Sequence, residues 1–478
     1  MKGRHLNGDH GSYDLVIIGG GSAGYAAART GVALGLKTAV IDGAGRLGGL
    51  CILRGCMPTK TLLESAHRLH EIRRAREFGL RVGPASPDLR AIVRRKDRLI
   101  QEFADYRRQQ LEEGTFDLHR GYAEFTGSHQ VSVRRGAKTW EVRGRAFVLA
   151  VGSEVAVPDV PGLKETRFWT SDDAINVTRL PQRLAVLGGG AIACEFAQYF
   201  SHLGSRVTLI QRSSQLLRGM DPDVAEVISR VFNRQGMKVL TGTRLLSVSE
   251  EKGGKSIRFE QDGRKRRVEC DELLVALGRR PATVGLKLEN AGVTLRADGG
   301  VETRSTQQSS VDHIFAAGDV CGPYEVVHLA IEQGELAATN AARLLRGESS
   351  LETMDYRLKM TVIFTEPEVA VIGMGEAEAQ AKSMAHAAAK YPFSDHGKSM
   401  VMGALDGFVK IIAEPTRGEI LGAALVGPRA SDMIHEFVPL LHYRATVHEF
   451  KRMPHYHPTV AEIVTYPAEE LSEQFSQR

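Results

Sequence analysis

The chain has 478 residues, 42% hydrophobic and 25% charged, a balance that suits about three domains with their own cores and excludes intrinsic disorder. Its 62 basic and 57 acidic residues leave a net charge of +5, too small an excess on so long a chain to point to nucleic acid as a partner. No run approaches the ~18 apolar residues of a membrane span. The polar stretch 1–13 lacks a signal-peptide core, and five scattered cysteines do not make a disulfide-stapled secreted fold, so a cytoplasmic location and no membrane partner are expected. The basic clusters at 72–76 and 90–98 read as solvated helix faces.

The apolar run 13–18 predicts a buried strand that feeds directly into a Gly-x-Gly-x-x-Gly turn at Gly19, Gly21 and Gly24. An Ala-rich helix follows from Tyr25 to about Gly35, and a second strand, 37–41, ends on Asp42. In such a turn the first glycine permits the tight bend, the second lets a pyrophosphate approach the backbone, and the third lets helix and strand pack closely. The phosphates rest on the helix N-terminus, here Ser22 and Ala23, and Asp42 is placed to bind ribose hydroxyls. A ligand-free glycine turn is the bland alternative. The strand before, the helix after and the acid at the end favour a nucleotide.

The pattern recurs. A strand at 183–187 enters Gly188, Gly189, Gly190, Ala191, Ile192 and Ala193, then a helix to Leu203 and a strand at 206–210. Two dinucleotide folds in one chain point to electron transfer between two dinucleotides. Between them, 146–152 reads as a buried strand ending in Gly152, and the Pro-rich link 158–162 marks the first boundary. A strand at 272–277 closes the second fold at Gly278. The segment 311–320 carries an apolar strand ending on Gly318 and Asp319 and leading to a helix at 325–345, which suits a carboxylate delivered to a bound cofactor. After a polar linker at 346–355, strands at 361–364, 408–413 and 420–426 and a helix at 431–443 predict an α+β domain. The expected fold class is therefore α/β: two Rossmann-like dinucleotide-binding domains, 1–155 and 156–281, a central segment 282–350, and an α+β C-terminal domain 351–478.

Just after the first fold stand Cys51 and Cys56, followed by Pro58 and Lys60. Residues five apart on a regular helix point about 140° apart, whereas a disulfide needs its Cα atoms within about 7 Å. The pair closes only across an irregular turn, for which Gly55 and Pro58 are suited. Cys56 would then start a helix, where the dipole favours a thiolate, with Lys60 adding positive charge. Two readings compete with redox chemistry: a pair of inert buried thiols, or half of a zinc site. Zinc sites bring C-x₂₋₄-C spacing and further ligands nearby, and none follow, so no metal site is expected.

These motifs together resemble the pyridine nucleotide–disulfide oxidoreductases, the family of dihydrolipoamide dehydrogenase, glutathione reductase and mercuric reductase, over residues 13–471. The resemblance implies FAD on the first fold and NADP or NAD on the second, with 282–350 completing the FAD side and the last domain pairing two subunits into a homodimer. It implies Cys56 as the thiol beside the flavin and Cys51 as the interchange thiol, with Lys60 and Glu195 near flavin and nicotinamide. Asp319 would bind the ribityl and pyrophosphate region. Gly49, Gly152, Gly188, Gly190, Ala191, Ile192, Gly278 and Gly318 complete the cofactor-binding set. His457 would be the acid–base residue, a residue type that titrates near neutral pH, with Glu462 orienting it; both would reach the cysteines of the other subunit. Glu462 also closes a Thr459-x-x-Glu462 capping box, and the two roles are compatible.

For the nicotinamide, Gln211 stands where an NAD-selective fold usually has an acid, and Arg212 and Arg218 can pair with a 2′-phosphate, so NADPH is favoured. For the substrate, the tail 475–478 lacks the cysteine pair of mercuric reductases, and both redox cysteines argue against a soluble transhydrogenase. Arg29 falls where glutathione reductase has an arginine, but Glu335 falls where it has a second. The His455 and His457 run is more like dihydrolipoamide dehydrogenase, while Leu50, the 52–54 tripeptide and Gln211 depart from it. The expectation is a specialised dihydrolipoamide dehydrogenase-like enzyme acting on a small-molecule or lipoyl-type dithiol or disulfide. The alternatives are an NADPH-dependent reductase of a low-molecular-weight disulfide and a flavin-dependent quinone or metal reductase of the same fold.

Overall fold

A computed structural model describes residues 11–251 and 253–477. Most of the polar N-terminal stretch read above lies outside the described residues. Among these residues, no helix is long and apolar enough to cross a membrane. The chain divides into two compact units: 1–59, 94–156 and 279–355 form one, and 60–93, 157–278 and 356–478 the other.

The first unit is built on a seven-stranded sheet. Strand Ser12–Ile18 pairs in parallel with Thr38–Asp42 on one side and Lys138–Leu149 on the other, and Ile314–Ala316 extends the parallel part. All of Leu15, Val16 and Ile17 are buried, as expected of a strand covered on both faces. The helix Ser22–Ala33 presents Ala23, Ala26, Ala27 and Ala28 inward, small side chains that let it lie close to the sheet and to the helix Val327–Leu345. The front half of Lys138–Leu149 instead pairs antiparallel with Gln130–Arg135, which pairs in turn with Tyr122–Gly127. That meander was not evident in the sequence.

The second unit contains a four-stranded parallel sheet in the order Lys238–Leu240, Arg206–Ile210, Arg183–Leu187, Glu272–Val275. The helix Ala191–Leu203 covers it with Phe196 and Phe200 fully buried. A three-stranded antiparallel sheet, Thr243–Glu251, Gly254–Gln261 and Arg264–Cys270, is inserted before its last strand. The C-terminal part is a five-stranded antiparallel sheet in the order Met360–Ile363, Glu368–Gly373, Ile420–Gly427, Phe408–Ala413, Ala387–Pro392. The terminal helix Thr465–Ser476 packs on it through Ala468 and Leu471.

Two expectations need correction. The helix expected at 431–443 is broken into Ala430–Met433, a 3₁₀ turn Ile434–Glu436, and Phe437–His442. Pro439 explains the break, because it lacks an N–H and its ring clashes with the carbonyl four residues back unless it stands in a first helical turn. The cluster at 90–98 is not wholly solvated: Lys96 is buried and pairs with Asp97 at 2.5 Å.

A buried charge cluster ties the parallel and antiparallel parts of the second unit together. Lys410, on strand Phe408–Ala413, is 2% exposed, and its Nζ meets Asp221 at 2.7 Å, Asp223 at 2.9 Å and Glu376 at 2.8 Å. Asp221 also accepts the backbone N–H groups of Glu376 and Ala377 at the start of helix Glu376–Ala381. Burial works against the Asp221 carboxylate, but the Lys410 ammonium and these N–H groups outweigh it and hold its pKa below the usual range. Lys410→Met leaves the three carboxylates without their buried cation, Asp223 keeping a second cation in Lys390 at 3.5 Å, and is expected to cost about 3–5 kcal/mol. A depressed Asp pKa contributes stability above its unfolded value near ~4, lost as pH falls through the folded one. Urea unfolding should therefore show the gap between wild type and variant narrowing below about pH 4.

Candidate active site

The first glycine turn has room for no side chain at its crossing point. A Cβ on residue 24 would lie 1.8 Å from the Gly19 carbonyl oxygen, so helix and strand end meet only through glycine. Asp42 is buried at the end of its strand, where Oδ2 accepts the Gly20 N–H at 2.9 Å and Oδ1 the Ala44 N–H at 2.8 Å. It braces the turn, with further lone pairs for a ribose. Gly21 faces Gly49, whose Cβ would stand 2.7 Å from the Gly21 Cα. Ser22 and Ala23 open the helix, and its first N–H groups have no intrahelical acceptor. This donor-lined opening without side chains fits a pyrophosphate.

The second turn is built likewise. Gly188 abuts the Ala276 carbonyl, whose oxygen would be 2.2 Å from a Cβ there. Ala193 is fully buried in the third-glycine position. A Cβ on Gly190 would meet nothing within 4 Å, so the space ahead of Ala191 and Ile192 is open to a second dinucleotide. Gln211 follows strand Arg206–Ile210 and accepts the Arg212 N–H through its side chain. Arg212 and Arg218 are exposed and form no ion pair among the described residues.

From Gly49 the chain makes a short helix, Gly49–Leu53, and then starts a long one, Cys56–Arg74. Cys51 lies in the first and Cys56 is the first residue of the second; both are thiols and partly buried. The intervening turn folds back so tightly that a Cβ on Gly55 would be 3.2 Å from the Cys51 Cα. That is the irregular junction the five-residue spacing requires. Arg107, on helix Leu89–Glu112, lies 4.2 Å over the Tyr25 ring and within electrostatic reach of Cys51. Burial holds its guanidinium below its usual pKa, against the pull of Tyr25 and Cys51. Arg29 flanks the same ring at 5.9 Å.

The Asp319 carboxylate accepts the Ser153 hydroxyl at 2.6 Å, and Ser153 Oγ in turn accepts Arg279 Nε at 2.7 Å. Gln333 accepts the Gly318 N–H and donates to the Gly322 carbonyl, fixing the Gly318–Asp319 corner. Burial raises the Glu325 pKa, and Asp319 raises it further. Gly152 precedes Ser153, and Gly278 precedes Arg279, at the two ends of the strand pair Ser153–Val155 and Arg279–Pro281. Ser153, Arg279 and Gln333 had no motif to mark them.

In the second unit, Lys60 Nζ is 2.8 Å from both carboxylate oxygens of Glu195, which is 3% exposed. Glu195 also accepts the Phe364 N–H at 3.0 Å, and Lys60 lies 4.9 Å over the Phe364 ring. His457 is exposed, and its Nδ1 is 2.9 Å from Glu462 Oε2. The other Glu462 oxygen is 3.3 Å from Nε2 of the buried His396, whose Nδ1 is 2.8 Å from Ser399 Oγ. Thr459 Oγ1 accepts the Glu462 N–H, so half of the capping box forms, but the carboxylate turns to the two histidines. His396 and Ser399 extend the pair into a relay that the sequence did not signal. His455, by contrast, pairs with Glu436.

The family model described as Pyridine nucleotide-disulphide oxidoreductase matches residues 13–334, and its dimerisation domain matches 360–468. A dihydrolipoyl dehydrogenase of Chlamydia muridarum is 36% identical over 438 residues, 91% of this chain and 92% of the relative. A mercuric reductase of Staphylococcus aureus is 33% identical over 439 residues, covering 91% of this chain and 78% of its own. The solved HOCl-induced flavoprotein disulfide reductase RclA from Escherichia coli superposes with a TM-score of 0.82 at 26% identity, over 97% of this chain and 99% of its own.

The Lys60–Glu195 pair predicts an order of stabilities. Lys60→Met strands a buried carboxylate and should cost about 2 kcal/mol, below a fully buried pair because Lys60 is part-exposed. Glu195→Gln keeps an acceptor for the Phe364 N–H and leaves a solvated ammonium, so its loss should be smaller. Urea unfolding of both FAD-loaded variants checks the order; equal losses would contradict it.

Proposed function

Because the chain belongs to the pyridine nucleotide-disulphide oxidoreductase family, whose members use FAD and NAD(P), we propose that it exchanges electrons between a nicotinamide and a dithiol or disulfide through Cys51 and Cys56. The observation that carries this reading is the cysteine junction, with one thiol in a short helix and the other at the head of a long one. When bound, FAD supplies the conversion of a hydride from NAD(P)H into an electron pair for the cysteine disulfide. Gly19, Gly21, Ser22, Ala23, Gly24, Asp42 and Gly49 would hold its pyrophosphate and ribose, with Gly152, Gly318 and Asp319 at its other end. Gly188, Gly190, Ala191, Ile192 and Gly278 would hold the nicotinamide nucleotide. Lys60 and Glu195 would stand near the two reacting rings.

The chain's own part is thiol exchange. With the pair reduced, Cys51 thiolate attacks one substrate sulfur, forming a mixed disulfide and expelling the other sulfur as a thiolate. His457, oriented by Glu462, gives that leaving sulfur a proton. Cys56 thiolate then attacks Cys51 sulfur, releasing the second substrate thiol and restoring the Cys51–Cys56 disulfide. One NAD(P)H and one proton thus reduce one disulfide to two thiols, and a dithiol substrate runs the same steps backward. His457 would act across a homodimer, on the cysteines of the other subunit; the matched dimerisation domain supports such pairing. Cys56→Ser is expected to keep FAD but lose at least ~10³-fold in disulfide turnover, since no exchange completes without the resolving sulfur. Wild-type turnover by this variant would refute the scheme.

For the substrate we favour a lipoyl-type dithiol or disulfide. The dihydrolipoyl dehydrogenases among the relatives support this choice. Arg29 and Arg107 beside Tyr25 favour a second reading, an anionic low-molecular-weight disulfide such as a glutathione-type peptide. Glu335, exposed where that reading needs a cation, weighs against it. Initial rates with lipoamide, dihydrolipoamide and glutathione disulfide at matched concentrations decide between them; preference for glutathione disulfide overturns the lipoyl assignment.

NADPH is the favoured nicotinamide. Gln211 carries no charge to repel a 2′-phosphate, and the exposed Arg212 and Arg218 are unpaired among the described residues. The expected kcat/KM is about tenfold higher for NADPH, the worth of roughly one charge-assisted hydrogen bond. A higher value for NADH would reject the assignment.

A further inference from the structure

We propose that His67, His202 and Glu366 form a binding site for one divalent transition-metal ion of the zinc type, separate from the cysteines. The ligand atoms all lie within 4.8 Å of one another, and His202 Nδ1 is 4.0 Å from Glu366 Oε2. His67 comes from helix Cys56–Arg74 and His202 from the last turn of helix Ala191–Leu203. Glu366 comes from the link between Met360–Ile363 and Glu368–Gly373. All three belong to the second unit. No metal site was expected from the sequence, because ligands this far apart in the chain show no motif spacing.

The buried polar atoms carry the argument. His67 Nε2, both ring nitrogens of His202 and Glu366 Oε2 are shielded from solvent, and none makes a hydrogen bond. The Gln235 side chain lies beside the His202 ring without a hydrogen bond of good geometry. Buried polar groups are nearly always paired, so one orphan from each of three side chains, all within 4.8 Å of one another, calls for a missing partner. A cation takes a lone pair from each of the three, whereas a single water can donate to only two of them.

The two imidazoles are also in the right form, and His202 and Glu366 are firmly held. Burial lowers the pKa of His67 and takes that of His202 down to about 3, keeping both imidazoles neutral, as ligation requires. Burial, with Glu71 beside it as like charge and hydrogen-bond partner, raises the Glu366 pKa to about 7 while Arg74 pulls the other way, so a metal ion binding through Oε2 would displace the carboxyl proton. Gln198, fully buried, donates to the Glu366 carbonyl at 2.8 Å and accepts its N–H at 2.6 Å, pinning that residue's backbone. The His70 ring stacks on His202 at 4.2 Å and fixes its plane. Supports of this kind orient metal ligands.

Two imidazoles and one carboxylate suit Zn²⁺, Ni²⁺ or Cu²⁺ and disfavour the all-oxygen ions Mg²⁺ and Ca²⁺. Bonds of about 2.0–2.1 Å place tetrahedral donors about 3.3 Å apart, so the side chains must close by about an ångström. The ion would clamp together three segments of one unit, one of them the helix that starts with Cys56.

The test uses untagged, FAD-loaded protein carrying Cys51→Ser and Cys56→Ser, so that the thiols cannot bind the probe. After chelator treatment it is equilibrated with Zn²⁺, desalted and analysed by elemental mass spectrometry. About one zinc per chain is expected, with X-ray absorption showing nitrogen and oxygen neighbours at about 2.0–2.1 Å and no sulfur. His67→Ala, in this background, should weaken zinc binding at least tenfold; if it does not fold, Glu366→Gln replaces it with the same expectation. Failure to retain zinc, or undiminished binding by the folded variant, overturns the proposal.

Discussion

The contact between residue 24 and the Gly19 carbonyl governs the first unit. With 1.8 Å between that oxygen and the place a Cβ would occupy, the helix sits against the strand end only when residue 24 has no side chain. This contact fixes where the helix begins, and hence where its unpaired N–H groups point. It also brings Gly21 to the surface of the turn, where Gly49 packs on it backbone to backbone. Gly49 is the first residue of the helix that carries Cys51. Two backbone approaches thus connect the glycine turn to the helix of Cys51, with no long side chain to blur the distance between them.

The second turn shows which part of the constraint is strict. Ala193 fills the third-glycine position at no evident cost, its Cβ 3.6 Å from where a Cβ on Gly188 would stand. The strand end still requires glycine at 188, because the Ala276 carbonyl occupies the space. Helix packing therefore tolerates a methyl group where the strand-to-helix bend does not. This is why the second fold was recognisable despite a degenerate motif.

What the sequence made legible was local. Strands 183–187, 206–210 and 408–413 were placed to the residue because each is an apolar run bounded by a glycine or polar turn. The meander of 122–135 gives no apolar run because its exposed faces are polar and charged, and its buried residues, Ala123, Phe125, Val131 and Val133, are too thinly spaced. The broken helix at 430–442 looks continuous in the sequence because its apolar spacing is helical even where Pro439 forbids the hydrogen bonds. In the site, Cys51 and Cys56 stand out by residue type and spacing, and His457 by the family resemblance. Arg107, His396 and the Lys60–Glu195 pairing did not, since each depends on a contact across a long stretch of chain.

The five cysteines also sort themselves by environment. Burial pushes the Cys321 thiol up to about 12 and Cys270 to about 11, and raises that of the fully buried Cys194 as well. Such thiols stay protonated and unreactive at neutral pH, since the thiolate is the nucleophile. Cys51 and Cys56 alone are partly open. Cys56 heads a helix of 19 residues, whose dipole favours negative charge at that end, and Cys51 lies within reach of the Arg107 guanidinium. Each of the two thus has its own source of positive potential, from a different element. Positive potential of this kind favours the thiolate, the reactive form of a cysteine.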